Sequence, residues 1–322
     1  MSAVIATRNR EAVLARTLAS LADQTEQPAE IILIDASTTD ATLKVCDQAQ
    51  GKLMGELRYV RATQAGAAPQ RNQGVALARH DIIFFCDDDV LFEPQCIERM
   101  WRALQSDPKI GGVNAMITNQ RYLPPGRISR IVFRMVQGKH LPSYAGKCMA
   151  GILNLLPEDR PDLPEVVPME WLNTTCTMYR RQALPDPVFP PLFQGASILE
   201  DATLSCMVGR RWRLVNARTA RIFHDSQMGD HKRDPGLLAE MELVNRAYLM
   251  TEVLGHQRQV DYARLLLAQA FTVASTLQTS RGWRELPAVL WGKWRAWRKI
   301  RSKPVHHAPA SFKMSSSAPM PS

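Results

Sequence analysis

None of the six cysteines (Cys46, Cys86, Cys96, Cys148, Cys176 and Cys206) forms a CxxC pair. That argues against a zinc ribbon or a disulfide framework and fits a reducing compartment. There is no run of eighteen apolar residues. The best candidate, 263–277, is broken by Arg264 and Gln269, so no segment is expected to span a bilayer. No GxGxxG follows the first strand-like segment, which disfavours a dinucleotide fold, and no GxxxxGK(S/T) occurs, which excludes a P-loop. Because a strand-like segment stands almost at the start, no signal peptide is expected ahead of it. Excess charge is also scarce over most of the chain. Of a net +9, residues 281–303 hold eight Lys/Arg against one acid, Glu285, leaving +2 for the rest.

What is present begins with three consecutive aspartates, Asp87-Asp88-Asp89, closing the apolar run Ile82-Ile83-Phe84-Phe85-Cys86. Such a run reads as a strand buried on both faces, as in a parallel sheet. Three carboxylates cannot remain in that core unpaired, so the strand must deliver them to its end. There they read either as a solvated acidic loop or helix cap, or as hard oxygen ligands for Mg²⁺ or Mn²⁺ with phosphate. Strand-like segments at 3–6, 30–34, 57–60 and 82–86 alternate with helical spacing at 11–22, 40–50 and 70–78. A helix after Pro94 then leads to a strand near 112–117. This alternation predicts a parallel sheet with right-handed crossovers, binding its ligand beyond the strands' carboxyl ends. Asp35 and Asp87–Asp89 fall at two of those ends.

Val4-Ile5-Ala6-Thr7-Arg8-Asn9-Arg10 resembles the opening of family 2 glycosyltransferases of the GT-A fold, an apolar strand followed by Thr-Tyr-Asn-Arg. Ile31 to Asp35 with the following Ala36-Ser37-Thr38-Thr39-Asp40-Ala41-Thr42 is similar to their VVDDGSTDGT segment, with Ala36 and Ser37 replacing its second Asp and its Gly. Arg71-Asn72-Gln73-Gly74 is similar to ARNxG, and Asp87-Asp88-Asp89 stands at the DxD position. The resemblance covers about 1–120 and again about 168–250. It implies that Asp35 hydrogen-bonds the base of a nucleotide-sugar and that the backbone at Thr7 and Arg8 lines the same pocket. Arg71 would lie near the base or diphosphate, Asp87 would face the ribose or sugar, and Asp89 would ligate the metal. Asp88, counted with the donor-binding group, is expected to tolerate change.

In the second half, Glu200-Asp201-Ala202-Thr203-Leu204 resembles the family's EDxDL segment, lacking its second internal acid, and begins a helix expected to bury Leu204 and Val208. The resemblance makes Asp201 the catalytic base and Glu200 the acceptor-orienting group; stabilisation of a helix N-terminus is the bland alternative. His224 follows two strand-like segments at 212–215 and 219–223. The family often places a His there that can ligate the metal, a merely structural His being the alternative, and Asp225 would orient its ring. Trp171 to Arg181 is similar to the acceptor-side WLxGxNMxxRR strand, with Thr174 and Cys176 replacing Gly and Asn. The Pro-rich residues 121–167 match nothing and read as including a mobile acceptor loop or lid.

The expected fold is α/β: a mixed, mostly parallel GT-A sheet flanked by helices, with a C-terminal helical extension. Residues 1–250 would form the transferase domain, with 1–120 binding donor and 121–250 binding acceptor. Residues 251–303 would be helical, and the Ser/Pro/Ala-rich 304–322 disordered. The expected function is metal-dependent (Mn²⁺ or Mg²⁺), inverting transfer from a nucleotide-sugar to a glycan or lipid-linked acceptor, in polysaccharide or glycolipid assembly. Trp283, Trp291, Trp294 and Trp297, interleaved with cations, suit a membrane surface. The alternatives there are packing on the domain and, last, nucleic acid, which is not expected as a partner. The implied location is cytoplasmic, peripheral at the inner face of the membrane. Two rivals remain: a sugar nucleotidyltransferase, which should carry a Gly-rich basic loop where Thr7-Arg8-Asn9-Arg10 has no glycine, and a non-catalytic nucleotide-sugar-binding or scaffold protein.

Overall fold

In the computed structural model the first half alternates strand and helix as expected: β1 (Ser2–Thr7), α1 (Glu11–Ala22), β2 (Glu30–Asp35), α2 (Ala41–Gln50), β3 (Glu56–Arg61), α3 (Ala67–Leu77), β4 (Ile82–Asp87), β5 (Val90–Phe92), α4 (Cys96–Gln105) and β6 (Ile110–Ile117). The structure describes residues 1–139, 141–195, 197–226 and 234–302, so the expected tail at 304–322 lies outside the described residues. Strands β1 to β4 are parallel, and the sheet runs β3-β2-β1-β4-β10-β6-β11-β5, with β9 pairing β11. Here β9 is Val166–Met169, β10 is Cys176–Arg180 and β11 is Arg213–His224. Strand β10 inserts antiparallel between β4 and β6, which makes the sheet mixed. The two segments expected at 212–215 and 219–223 form one strand, β11, whose register shifts between Ala217 and Arg221.

Alternation along β4 builds both faces of the core. Phe84 and Cys86 pack with Leu14, Leu18, Ile97 and Met100 of α1 and α4. Ile83 and Phe85 pack on the opposite face with Val75, Tyr179, Phe189 and Leu204. Each such side chain, fully buried, contributes about 1.5–3 kcal/mol. Gly74, the glycine of the Arg71-Asn72-Gln73-Gly74 segment, lets α3 lie directly on β1, because a Cβ there would sit 2.4 Å from Val4 Cγ1.

Residues 121–167, expected to include a mobile acceptor loop or lid, contain α5 (Arg127–Gln137) and a short hairpin of β7 (Cys148–Met149) and β8 (Leu153–Asn154). Phe133 and Val136 of α5 share a buried cluster with Leu243, Ala247, Leu265, Ala268 and Ala296. The second half continues with α6 (Glu200–Val208), α7 (Pro235–Tyr248), α8 (Gln259–Thr276) and α9 (Ser280–Ser302), and Leu204 and Val208 of α6 are buried as expected. Helices α7 and α9 pack closely where Gly236 meets Gly292: a Cβ on Gly292 would lie 2.0 Å from the Gly236 carbonyl oxygen.

The basic, Trp-bearing helix predicted from the sequence is α9. Trp283, Trp291 and Trp294 are exposed, and Trp297 meets Tyr262 edge-on at 6.4 Å. Several of its cations are neutralised within the molecule: Arg281 by Glu285, Lys293 by Glu242, and Arg295 and Lys299 by Glu240. Among the described residues, no helix is long and apolar enough to cross a membrane.

Candidate active site

At the carboxyl end of β4 the three aspartates separate. Asp87 stays at the strand end, with its carboxylate Oδ1 accepting from Arg71 Nη2 at 2.6 Å. Asp88 is buried beneath α1: it accepts from Thr7 Oγ1 at 2.6 Å and Arg10 Nη1 at 2.5 Å, and its carbonyl accepts from Thr17 Oγ1 at 2.8 Å. Asp88, expected from the sequence to tolerate change, is thus enclosed by three polar contacts. The chain turns after Asp87 and puts the middle carboxylate inside, where removing it would leave Thr7 without its acceptor and Arg10 without one of two carboxylates. Asp89 pairs with Arg10 at 2.6 Å and lies 3.1 Å from His224 Nε2.

Burial pushes Asp88 up to about 7, despite Arg10 and Thr7. Burial also acts to raise Asp89, but His224 and Arg10 outweigh it and hold that carboxyl below its ordinary value. Asp87, Asp89 and His224 each offer one ligand atom, all within 4.8 Å of one another. Two carboxylates and an imidazole so placed are a suitable donor set for a divalent cation. Asp87 thus joins the candidate ligand group, which differs from the sequence reading that set it apart facing ribose or sugar.

His224 is held by the turn after β6. Asn119 donates from Nδ2 to the His224 carbonyl at 2.8 Å and accepts the His224 N–H at 3.1 Å, while Gln120 Nε2 lies 3.2 Å from Nδ1. Asp225, expected to orient the His224 ring, pairs with Arg16 of α1.

Asp35, at the end of β2, is fully buried. It accepts from the Ser37 N–H and from Tyr59 Oη, each at 2.8 Å, and from Arg61 Nη1 at 3.3 Å. Thr7 is buried too, and its carbonyl accepts from Gln70 Nε2 at 3.0 Å; Arg8 is exposed. Asn9 ties this loop to the next, accepting the Thr38 N–H at 3.0 Å.

Arg71 joins the two halves. Its guanidinium, 5% exposed, bonds Asp87 on one side and Glu200 Oε1 at 2.9 Å on the other. Glu200 and Asp201 open α6, and Asp201 Oδ1 accepts the Ala202 N–H at 2.6 Å, so the helix-terminus role expected as the bland alternative is also present. Burial raises both carboxyls. For Glu200 the Asp201 charge adds to this and Arg71 opposes; for Asp201 the Ala202 N–H and Arg71 oppose. As a pair they hold a proton more readily than exposed carboxylates.

The structure therefore brings Asp87, Asp89, His224, Arg71, Glu200 and Asp201 into one connected group, with Asp35 and Thr7 at neighbouring strand ends. Arg10 escaped the sequence reading. It lies in the Thr7-Arg8-Asn9-Arg10 segment, but nothing local to that segment indicates which carboxylates, 78 and 79 residues away, it will meet.

The profile of glycosyl transferase family 2 matches residues 2–184. The chain belongs to that family. Among curated family members, a PGL/p-HBAD biosynthesis glycosyltransferase of Mycobacterium bovis is 32% identical over 138 residues, 41% of this chain and 54% of its own length. The hyaluronan synthase of Pasteurella multocida is 36% identical over 97 residues, 29% of this chain and 10% of its own length. The chain thus spans about half or less of these curated relatives. Among solved structures, S. aureus TarS in complex with UDP-GlcNAc superposes with a TM-score of 0.57 at 17% identity, over 93% of this chain and 81% of that one. The mannosyltransferase PcManGT from Pyrobaculum calidifontis, with GDP-Man and Mn²⁺, gives 0.52 at 15% identity, over 94% and 83%. The family 2 chain has the GT-A fold expected from its sequence.

Proposed function

We propose that this family 2 protein transfers a glycosyl group, with inversion, from a nucleotide-sugar to an acceptor hydroxyl. The observation that carries the reading is Arg71, one buried guanidinium joining a carboxylate of the candidate cation group to the carboxylate beside the candidate base. Reaction across a short gap needs both partners fixed in one frame, and this link supplies it.

Asp87, Asp89 and His224 would hold Mn²⁺ or Mg²⁺, which supplies charge neutralisation for a departing nucleoside diphosphate. Asp35, with the backbone at Thr7 and Arg8, forms the base pocket. Arg61, exposed at 43%, is the Asp35 partner a base can displace. Asp88 shapes this floor through Thr7 and Arg10. Asp201 takes the acceptor proton. One of its oxygens is engaged by the helix N-terminus, and its raised proton affinity makes it a better base than an exposed carboxylate. Glu200, anchored by Arg71, orients the acceptor.

The donor half is 1–120 and the acceptor half 121–250, with 251–303 a helical segment at a membrane surface. The acceptor is a glycan or a lipid-linked sugar at the cytoplasmic face, in polysaccharide or glycolipid assembly. Exposed Trp283, Trp291 and Trp294 support the membrane placement. A panel of nucleotide-sugars with and without Mn²⁺ should give one donor that raises the melting temperature only with the cation. That donor should release its nucleoside diphosphate when acceptor extract is added. Absence of any cation-dependent donor stabilisation would overturn the reading, and stabilisation without release would favour the non-catalytic binding protein.

A further inference from the structure

Between Asp107 and Glu158 the chain contains no acid, yet it carries Lys109, Arg121, Arg127, Arg130, Arg134, Lys139 and Lys147. Three of these cations lie on α5, and the helix has three distinct sides. Phe133 and Val136 face inward to the cluster shared with α7, α8 and α9. Ile128, Ile131 and Met135, at i, i+3 and i+7, form an outward apolar stripe with exposures of 73%, 61% and 55%, and Leu123 just before the helix is 79% exposed. Arg127, Arg130 and Arg134, at the same spacing, form an exposed stripe beside it. None of these three arginines has an ion-pair partner among the described residues, whereas on α9 Lys293, Arg295 and Lys299 are paired with Glu240 and Glu242.

A soluble surface helix has no use for three large exposed apolar side chains in a row. A row of cations without acids nearby repels itself unless an anionic surface neutralises it. Both features are satisfied together where a helix lies in the plane of a bilayer, its apolar stripe at the acyl boundary and its cations among anionic headgroups. We infer that α5, with Leu123, is an anionic-lipid docking element of this protein, and that it, more than the partly neutralised α9, supplies the electrostatic part of membrane binding.

Its position gives the contact a purpose, one that rests on the reading of the site as a transferase of membrane-surface acceptors. Asn119 and Gln120, which hold His224, run directly into this element. Six residues separate Gln120 from Arg127, so the helix starts within about 25 Å of Gln120 even if the link is fully extended. Docking through α5 would bring the mouth of the site to the headgroup layer.

The test is co-sedimentation of the full chain, without donor, with vesicles of phosphatidylcholine alone and with added phosphatidylglycerol. Binding should require the anionic lipid and weaken with salt. Replacing Arg127, Arg130 and Arg134 together by Gln should weaken it on the order of 100-fold. Replacing all three by Lys should preserve it, and Ile128→Asn with Ile131→Asn should reduce it. Trp291→Ala with Trp294→Ala should leave the dependence on anionic lipid in place. The inference falls if the chain ignores anionic vesicles, if the Gln variant binds like the parent, if the Lys variant does not bind, or if a short RNA binds the stripe more tightly than vesicles do. Cation-dependent donor stabilisation, measured on the same variants, should be unchanged. Its loss in the parent would strike the transferase reading, and vesicle binding would stand independently of it.

Discussion

The two ends of the central sheet carry the same residue types to opposite effect. At the amino end, Glu30 opens β2, fully buried. It accepts from Ser2 Oγ and the Arg79 N–H at 2.6 Å each, from Arg79 Nε at 2.9 Å and from Arg58 Nη1 at 3.0 Å. Burial alone would raise its pKa, but these donors outweigh it and hold Glu30 at about 2. At the carboxyl end, Asp87, Asp88, Asp89, Glu200 and Asp201 share Arg10, Arg71 and His224, and burial wins at Asp88, Glu200 and Asp201, raising all three. An oversupplied carboxylate is a structural anchor. An undersupplied group of carboxylates retains affinity for protons, a cation and substrate, which is what chemistry requires.

The contrast breaks most clearly at Asp201. Asp201→Asn should cut transfer by about 10³-fold or more while donor binding and melting temperature hold, as read by nucleoside diphosphate release and thermal shift. Loss of donor binding instead would move Asp201 to the donor side. Glu30→Gln should do the reverse, costing about 3 kcal/mol in chemical denaturation because Arg58 and Arg79 lose their shared charge, with donor affinity of the folded protein unchanged.

The pH dependence separates the two ends further. The folded pKa of Glu30 lies below its ordinary 4.5, so its contribution is complete above that pH and is lost as pH falls from 4.5 toward 2. The stability gap between parent and Glu30→Gln should close over that window; a constant gap would show that the anchor is not electrostatic. His224→Ala should weaken cation binding by about 10–100-fold, measured by Mn²⁺ titration, with little loss of stability. The smallest effect is expected at Asp88→Asn. Since burial already favours the protonated form, the amide should cost about 1 kcal/mol, less than Glu30→Gln. A larger cost would mean that the Arg10 pair outweighs desolvation.

Much of this was legible in the chain. The boundaries of α1 and β4, the buried face of α6 and the placement of Asp35, Asp87–Asp89 and Glu200-Asp201 at element ends all follow from hydrophobic periodicity and its interruption by charge, which are local properties. The α9 amphipathicity was visible too, but not its neutralisation. Lys293 meets Glu242, 51 residues away, only because Gly236 and Gly292 let α7 and α9 touch. The α5 stripe went unread inside a Pro-rich stretch, since the packing of Phe133 and Val136 on α7, α8 and α9 is what identifies its free sides.

The sequence by itself determined the alternation of strands and helices and the delivery of carboxylates to strand ends, because a buried run cannot continue through charge. Tertiary structure alone decided what each carboxylate became. Arg71 reaches Glu200 across 129 residues and Arg10 reaches Asp88 and Asp89 across 78 and 79. Whether a buried acid is an anchor or a reactive group depends on how many donors the fold brings to it, and that number is set by chain topology rather than by neighbours in sequence.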